Sequence, residues 1–397
     1  MFTNEQSSLC GNEEVMNVLM IVSWYTPKGN RELEAGVFHY EQSMDLKKHC
    51  NVALYYPFDK QIGERESKAE EWGLLTYRSK YRAGRFFRNK RQMMATMERI
   101  VEEFAPDIIH AHCGAGAGYF AIDLAKRFHL PMVITEHTPQ EISKVDKKGY
   151  NHFLTKKAYA YSQANICVSK DSQAKLGKIF PECSFDVIYN GIVLPHFSLE
   201  NKRYYRDGFI NVAIVAILYD LEVKGMKYLL KAMEILKSSG KKFVLHHIGA
   251  GEYLEHFKQM AVELGIDDVC IFYGRCQREK LYEIVGEMDF FVSSSLMECS
   301  GVSVQEAMLL GKPILGTNSG GVDSLVPEQA GHIVERGNAD ALARGMLYME
   351  ENLSRYDGEW IRKYAHDSFA IDQISEKYMH LYEEVIGAWG KAGERDA

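Results

Sequence analysis

Two glutamates eight residues apart, Glu298 and Glu306, bracket a glycine and the start of a helical pattern in the segment 289–322. An apolar strand run ends near Ser293, a loop covers 296–301, and helical spacing begins at Val302 and stops at Gly311 and Pro313. A helix start carries unpaired backbone N–H groups and the positive end of a dipole, which suit a diphosphate. A carboxylate held beside the phosphates can accept hydrogen bonds from sugar or ribose hydroxyls. Gly301 lets ligand and backbone approach closely. The plainer account is that Ser303 and Glu306 have capping-box spacing and Glu298 is an exposed loop acid.

A lysine shifts the balance. Lys224–Gly225 follows the run 210–217 and precedes the helical pattern 227–237. A lysine at a strand-to-helix turn can reach a phosphate, although a single one is usually just solvated. Here lysine, helix start and two acids all fall in loops at the carboxyl ends of strands.

The N-terminal half holds two competing signals. Gly116-x-Gly118-x-x-Ala121 follows a strand and opens a helix, with Glu136 twenty residues after Gly116. That is a dinucleotide fingerprint, and an NAD-dependent oxidoreductase would set its pyrophosphate on the helix and Glu136 on the ribose. It leaves the C-terminal carboxylate–lysine set unexplained and ranks second. His110-x-His112 shares one strand face. No third ligand is evident at metal-site spacing, so the expectation is one buried, hydrogen-bonded ring and one lining a cleft. His137 reads as a core histidine on its own.

The elements that would position these residues alternate throughout. Strand runs are expected at 17–24, 52–56, 107–112, 132–136, 165–169 and 186–189, with helices between them at 37–48, 91–104 and 119–128. The pattern breaks over 191–208, which reads as a linker. A second series follows, with strands at 210–217, 243–248, 269–272, 289–293, 313–316 and 332–334 and helices at 227–237, 252–264 and 277–287. Two doubly wound α/β domains, 1–200 and 205–370, would then face each other across a cleft.

Composition agrees with that size. The 397 residues exceed one ordinary core; apolar content is 46%, charged content 25%, and net charge −7, which makes nucleic acid a poor partner. No apolar run reaches the length of a membrane helix, and the polar, acidic first fourteen residues lack the basic start of a signal peptide. Eight scattered cysteines form no C-x-x-C. A reduced, cytoplasmic setting is expected.

The pattern resembles glycosyltransferase family 4, the retaining nucleotide-sugar transferases of GT-B fold. It rests on Glu298-x7-Glu306 with Ala307-Met308, Gly311, Pro313 and Gly320-Gly321, together with Lys224-Gly225, Gly249-x-Gly251, Asn190-Gly191 and Thr135-Glu136-His137, and so spans nearly the whole chain. The resemblance implies that Glu298 contacts the donor sugar, Glu306 holds the ribose hydroxyls, Lys224 binds the diphosphate and His137 lies near the donor sugar. The donor site also takes in Gly301, Val302, Gly249 and, from the loop after the first strand, Gly36. It implies retention of configuration, no cofactor and no obligatory metal, and a last helix from 371 crossing back to complete the first domain. A GT-B sugar-nucleotide epimerase shares the pattern. Two departures stand out: the arginine usual five residues before the lysine is replaced by the stretch Ile217-Leu218-Tyr219-Asp220, with Arg275 a candidate substitute, and Gly-Gly-x-x-Glu becomes Gly320-Gly321-Val322-Asp323-Ser324.

One surface feature completes the reading. The stretch 78–91 has seven basic residues, no acidic ones, and interleaved Tyr81, Phe86 and Phe87. Arg82, Arg85, Arg88 and Arg91 would suit an anionic membrane surface or an acceptor, at about 1 kcal/mol per cation near the surface; a solvated face explains them equally well. The expected partners are thus a nucleotide-sugar donor, a saccharide or lipid-linked acceptor and an anionic membrane surface, with the protein peripheral at its inner face.

Overall fold

Strand runs such as NVLMIV and IIHAH are buried along nearly their whole length because helices cover both faces of a parallel sheet. The computed structural model describes residues 15–26, 36–137, 149–194 and 203–393. The acidic N-terminal fourteen residues and much of the expected linker lie outside these.

The first half runs β1 (Asn17–Val22), α1 (Val37–Leu46), β2 (Asn51–Asp59), β3 (Glu66–Glu71), β4 (Leu74–Lys80), α2 (Phe86–Phe104), β5 (Ile108–His112), a π-helical turn (Cys113–Gly118), α3 (Tyr119–Phe128), β6 (Met132–Glu136), α4 (Tyr150–Tyr161), β7 (Ala164–Cys167), α5 (Lys170–Ile179) and β8 (Asp186–Val187). These strands form one sheet in the order β3-β4-β2-β1-β5-β6-β7-β8. All pairs are parallel except β3 with β4.

That antiparallel hairpin is absent from the sequence reading. Its turn is Trp72-Gly73, both left-handed at φ 51° and 85°, as a two-residue hairpin of the twist-matched type requires. The strand ESKAEE carries too much charge to show an apolar alternation. The hairpin also changes the reading of the basic stretch, because β4 turns Arg78 inward. Arg78 is fully buried and donates to Asp59 Oδ2 at 2.7 Å, to Glu71 Oε1 at 2.8 Å and Oε2 at 2.6 Å, and to Thr26 O at 3.0 Å. It is structural and belongs to no surface patch. Arg78→Met should strand two buried carboxylates and cost about 3–5 kcal/mol of stability, read from the denaturant midpoint.

The second half runs β9 (Ile210–Val215), α6 (Met226–Ser238), β10 (Phe243–Ile248), α7 (Leu254–Glu263), β11 (Cys270–Phe272), α8 (Arg278–Glu287), β12 (Phe290–Ser293), α9 (Val302–Leu309), β13 (Ile314–Thr317), α10 (Gly321–Leu325), β14 (Gly331–Val334), α11 (Ala339–Asn352) and α12 (Gly358–Phe369). The strand order β11-β10-β9-β12-β13-β14 is that of a classical doubly wound nucleotide-binding sheet. Each half has its own core on both faces of its sheet, and the last helix, α13 (Ile371–Gly393), joins them. It returns to the first sheet, where Tyr378 and Tyr382 are buried and reach Thr135 Oγ1 at 3.0 Å and His110 Nδ1 at 2.7 Å.

Candidate functional site

Strand order reverses between β9 and β12, and the loops leaving their carboxyl ends carry Lys224 and Glu298. The two loops are stitched together. Leu296 N donates to Val223 O at 2.8 Å and Ser294 Oγ donates to Lys224 O at 2.8 Å. Gly225 makes this possible: its φ is +61°, and a Cβ there would lie 1.9 Å from Ser294 O. Lys224 Nζ then meets Glu298 Oε2 at 2.8 Å, and Ser295 Oγ donates to the same oxygen at 3.2 Å. Both side chains keep some exposure, 30% and 20%, so a ligand can reach them.

Glu298 is held from the other side as well, through Glu298 N to Ser319 O at 3.1 Å and Gly321 N to Glu298 O at 3.0 Å. Asp323 accepts from Gly320 N at 2.6 Å and so caps α10, and Ser324, standing where the family has glutamate, donates through Oγ to Gly321 O at 2.8 Å. Beyond the loop, Gly301 turns the chain into α9 in the left-handed region, at φ 58°, and offers no side-chain cap. The first N–H groups that bond back are Val304 and Gln305, both to Gly301 O. Among the described residues those of Val302 and Ser303 have no acceptor, and Val302 is 40% exposed at the helix start.

Glu306 lies one turn into α9 and is buried. It is no capping acid. Tyr282 OH donates to its Oε1 at 2.7 Å, and Arg278 Nη2 stands 3.6 Å from the same atom. Burial pushes its carboxyl above the usual range, with Tyr282 and Arg278 pulling it back in part. Arg278 also ion-pairs with Glu41 of α1, tying the two halves together. Sequence reasoning missed Arg278 and pointed to Arg275, which is exposed three residues earlier. The one available signal was Arg278 and Tyr282 four apart on a helix, a spacing that puts them on one face. Tyr219, in the place of the family's other cation, is 71% exposed. Gly249 follows β10 and lies against Ala216 O, and Gly36 caps α1 against Tyr25.

Two further contacts bring the first half against this loop: Ser172 Oγ with Cys299 Sγ at 3.0 Å, and Asn190 Nδ2 donating to Ser300 Oγ at 2.9 Å. His137 follows β6 on that side. It is nearly buried, hydrogen-bonded through Nε2 to His112 Nδ1 at 2.7 Å, and burial drops its pKa to about 3, offset in part by Asn190. His110 is bonded on both nitrogens, to Tyr382 and Thr135. The expectation that one ring of His110-x-His112 lines the cleft is corrected, since both are fully buried.

The dinucleotide reading fails on the same ground. Glu136 Oε2 accepts from Gly114 N at 3.0 Å and Tyr159 OH at 2.7 Å, and its Oε1 from His137 N at 3.2 Å, so it is spent inside the fold. Gly116 exists for packing, because a Cβ would lie 2.4 Å from Ser23 Oγ, and that hydroxyl already accepts from Ala117 N.

On the surface, Arg85, Arg88 and Arg91 are exposed at the start of α2 beside Phe87, which is 86% exposed. Arg82 is half-buried, and Lys90 pairs with Asp123. Among the described residues no helix is long and apolar enough to cross a membrane.

Two family models match the chain: glycosyl transferases group 1 over residues 214–363, and glycosyltransferase family 4 over residues 35–194. An uncharacterized glycosyltransferase of Methanocaldococcus jannaschii is 24% identical over 72% of this chain and 77% of its own. The alpha-monoglucosyldiacylglycerol synthase of Streptococcus pneumoniae is 24% identical over 58% of this chain and 56% of its own. In fold, the Anabaena protein HepE, determined in complex with UDP, superposes with a TM-score of 0.71 at 17% identity over 93% of this chain and all of its own.

Proposed function

Because the chain belongs to glycosyltransferase family 4, as a hexosyltransferase of GT-B fold, we propose that it moves a sugar from a UDP- or GDP-sugar to a saccharide or lipid-linked acceptor with retention of configuration. Residues 205–370 hold the donor and residues 1–200 the acceptor. The product belongs to a polysaccharide, lipopolysaccharide or glycolipid. The names of relatives support that setting: a diacylglycerol glucosylation enzyme and the amylovoran biosynthesis glycosyltransferase of Erwinia amylovora. The observation that carries the reading is the placement of Lys224, Glu298 and an uncapped helix start within one loop cluster, with Glu306 a turn away.

In this reading Glu306 accepts from the ribose hydroxyls and Glu298 from hydroxyls of the donor sugar. The N–H groups at Gly301–Val302 and the ammonium of Lys224 take the charge that develops on the leaving diphosphate. Gly249 and Gly36 let backbone approach the donor, Arg275 lies at the edge of the base site, and His137 lies by the donor sugar. Glu298 positions the sugar and exchanges no proton. The two glutamates cannot act as a hydrolase pair, because they share one loop and helix and cannot flank a bond from opposite sides. No metal enters the transfer step: lysine and helix dipole supply the positive charge.

A panel of UDP- and GDP-sugars, with NAD(H) included, tests the assignment by calorimetry and by slow donor hydrolysis. Binding of one sugar nucleotide in the micromolar range with release of its nucleoside diphosphate is expected. Turnover without hydrolysis or acceptor would point to the epimerase instead, and NAD(H) binding would restore the oxidoreductase.

We propose further that the exposed cations of α2 meet an anionic membrane surface, with Phe87 as the apolar anchor; their exposure beside that ring supports the reading. Replacing Arg85, Arg88 and Arg91 together with glutamate should release the protein from liposomes rich in anionic lipid. Removal of three cations weakens binding by about 3 kcal/mol, more than a hundredfold, before any repulsion from the new acids. Equal sedimentation of both proteins with the vesicles would reject the membrane role.

A further inference from the structure

Three histidines from separate elements meet in the first half: His39 in the first turn of α1, His112 at the end of β5 and His137 just after β6. All three belong to the carboxyl-end side of the first sheet. Their rings are close: 4.5 Å between the centroids of His39 and His112, 5.0 Å between His112 and His137, and 5.4 Å between His39 and His137. One ring nitrogen from each lies within 4.8 Å of the other two.

Hydrogen bonding leaves this group unfinished. His112 and His137 satisfy one nitrogen each through their 2.7 Å contact. Both nitrogens of His39 and Nε2 of His112 are buried with no protein partner among the described residues. A buried polar atom left so is costly to the fold. Neighbouring His110 shows what a satisfied core histidine looks like here, with Tyr382 and Thr135 on its two nitrogens. Neutral imidazole is the form that donates a lone pair to a metal.

We infer that His39, His112 and His137 form a binding site for a single divalent transition metal, with zinc as the natural fit and a fourth position open. Three imidazoles select Zn²⁺, Co²⁺, Ni²⁺ or Cu²⁺ over Mg²⁺ and Ca²⁺, which want oxygen. Metal–nitrogen bonds of about 2.0–2.1 Å place the ligand atoms about 3.3 Å apart in a tetrahedral set. The His112–His137 hydrogen bond then gives way to bonds to the metal and the longer gaps close by side-chain rotation, with the backbones of His39 and His112 fixed on helix and strand. Entry is from the His137 side, the least buried of the three at 9% exposure. Occupancy takes His137 away from the donor sugar, so the bound metal inhibits transfer and has no part in it.

The site stands apart from the donor reading, and its test uses no sugar nucleotide. The metal-stripped full chain is titrated with Co²⁺ and followed by visible absorption, then challenged with Zn²⁺. One Co²⁺ per chain with the strong bands of a tetrahedral site, displaced by one Zn²⁺, is expected. His39→Asn, which keeps a polar side chain, and His112→Ala should each weaken binding by more than about 100-fold, beyond the loss of an outer-shell partner. His49→Ala, at an exposed position, should leave it unchanged. Circular dichroism melts show which variants are folded. Absence of one-to-one binding by the folded parent, or binding that survives folded His39→Asn and His112→Ala, overturns the inference and leaves a plain imidazole cluster.

Discussion

Glu306→Ala should remove measurable sugar-nucleotide binding and leave the protein folded. A carboxylate that accepts from two ribose hydroxyls contributes two charge-assisted hydrogen bonds, each about 1.5–3 kcal/mol. Their loss raises Kd by about two to four orders of magnitude. The fold should survive, because Tyr282 OH loses one partner but still accepts from Arg278 Nε at 3.1 Å, and Arg278 keeps its ion pair with Glu41. Glu306→Gln separates charge from shape, and an intermediate affinity is expected. The pH dependence carries a further signature. Burial raises the Glu306 pKa, so on acidification the carboxyl protonates at a higher pH than an ordinary glutamate does, and donor affinity falls early. In Glu306→Gln that acid limb should vanish. Calorimetry that finds parental affinity in the alanine variant would remove Glu306 from the donor site and weaken the whole assignment.

How far the sequence disclosed this arrangement depends on the distance over which each feature is decided. The strands 132–136 and 243–248 have the expected limits, because each opens on an apolar run that is buried on both faces of its sheet. The start of α9 was legible too, since Gly301 and the apolar spacing after it are local signals. The β3–β4 hairpin was not. Its outer strand lies at the sheet edge and is mostly charged, and its inner strand hides an arginine whose neutralising acids come from two other strands. Arg278 and His39 escaped for the same reason. Each becomes part of a cluster through residues far away in the chain, Glu41 and Glu306 in one case, His112 and His137 in the other, and nothing in the local spacing announces it. Conversely, the Gly116-x-Gly118 fingerprint was misleading, as glycines needed for packing on Ser23 have the same spacing as glycines that admit a pyrophosphate.

The Lys224–Glu298 pair makes the second large effect specific. Lys224→Ala should lower kcat by about 10²–10³, or about 3–4 kcal/mol, with a smaller change in KM, because the charge on the diphosphate grows mainly as the sugar bond breaks. The ammonium pairs with Glu298 at 2.8 Å, which holds the lysine over the loop. An arriving diphosphate competes with that carboxylate for the ammonium, and Glu298, once released, is free to turn to the sugar hydroxyls. Removing the lysine therefore takes away a charge and also one of the two bonds to Glu298 Oε2. A double-mutant cycle distinguishes the two effects. If Lys224 served only to position Glu298, Lys224→Ala would cost nothing further in a Glu298→Gln background. If it stabilises the leaving group directly, most of the 10²–10³ persists there. The second outcome is expected, since Ser295 Oγ and the backbone bonds to Ser319 and Gly321 hold the Glu298 loop without the lysine. A rate unaffected by Lys224→Ala would mean that the helix start alone carries the leaving group's charge.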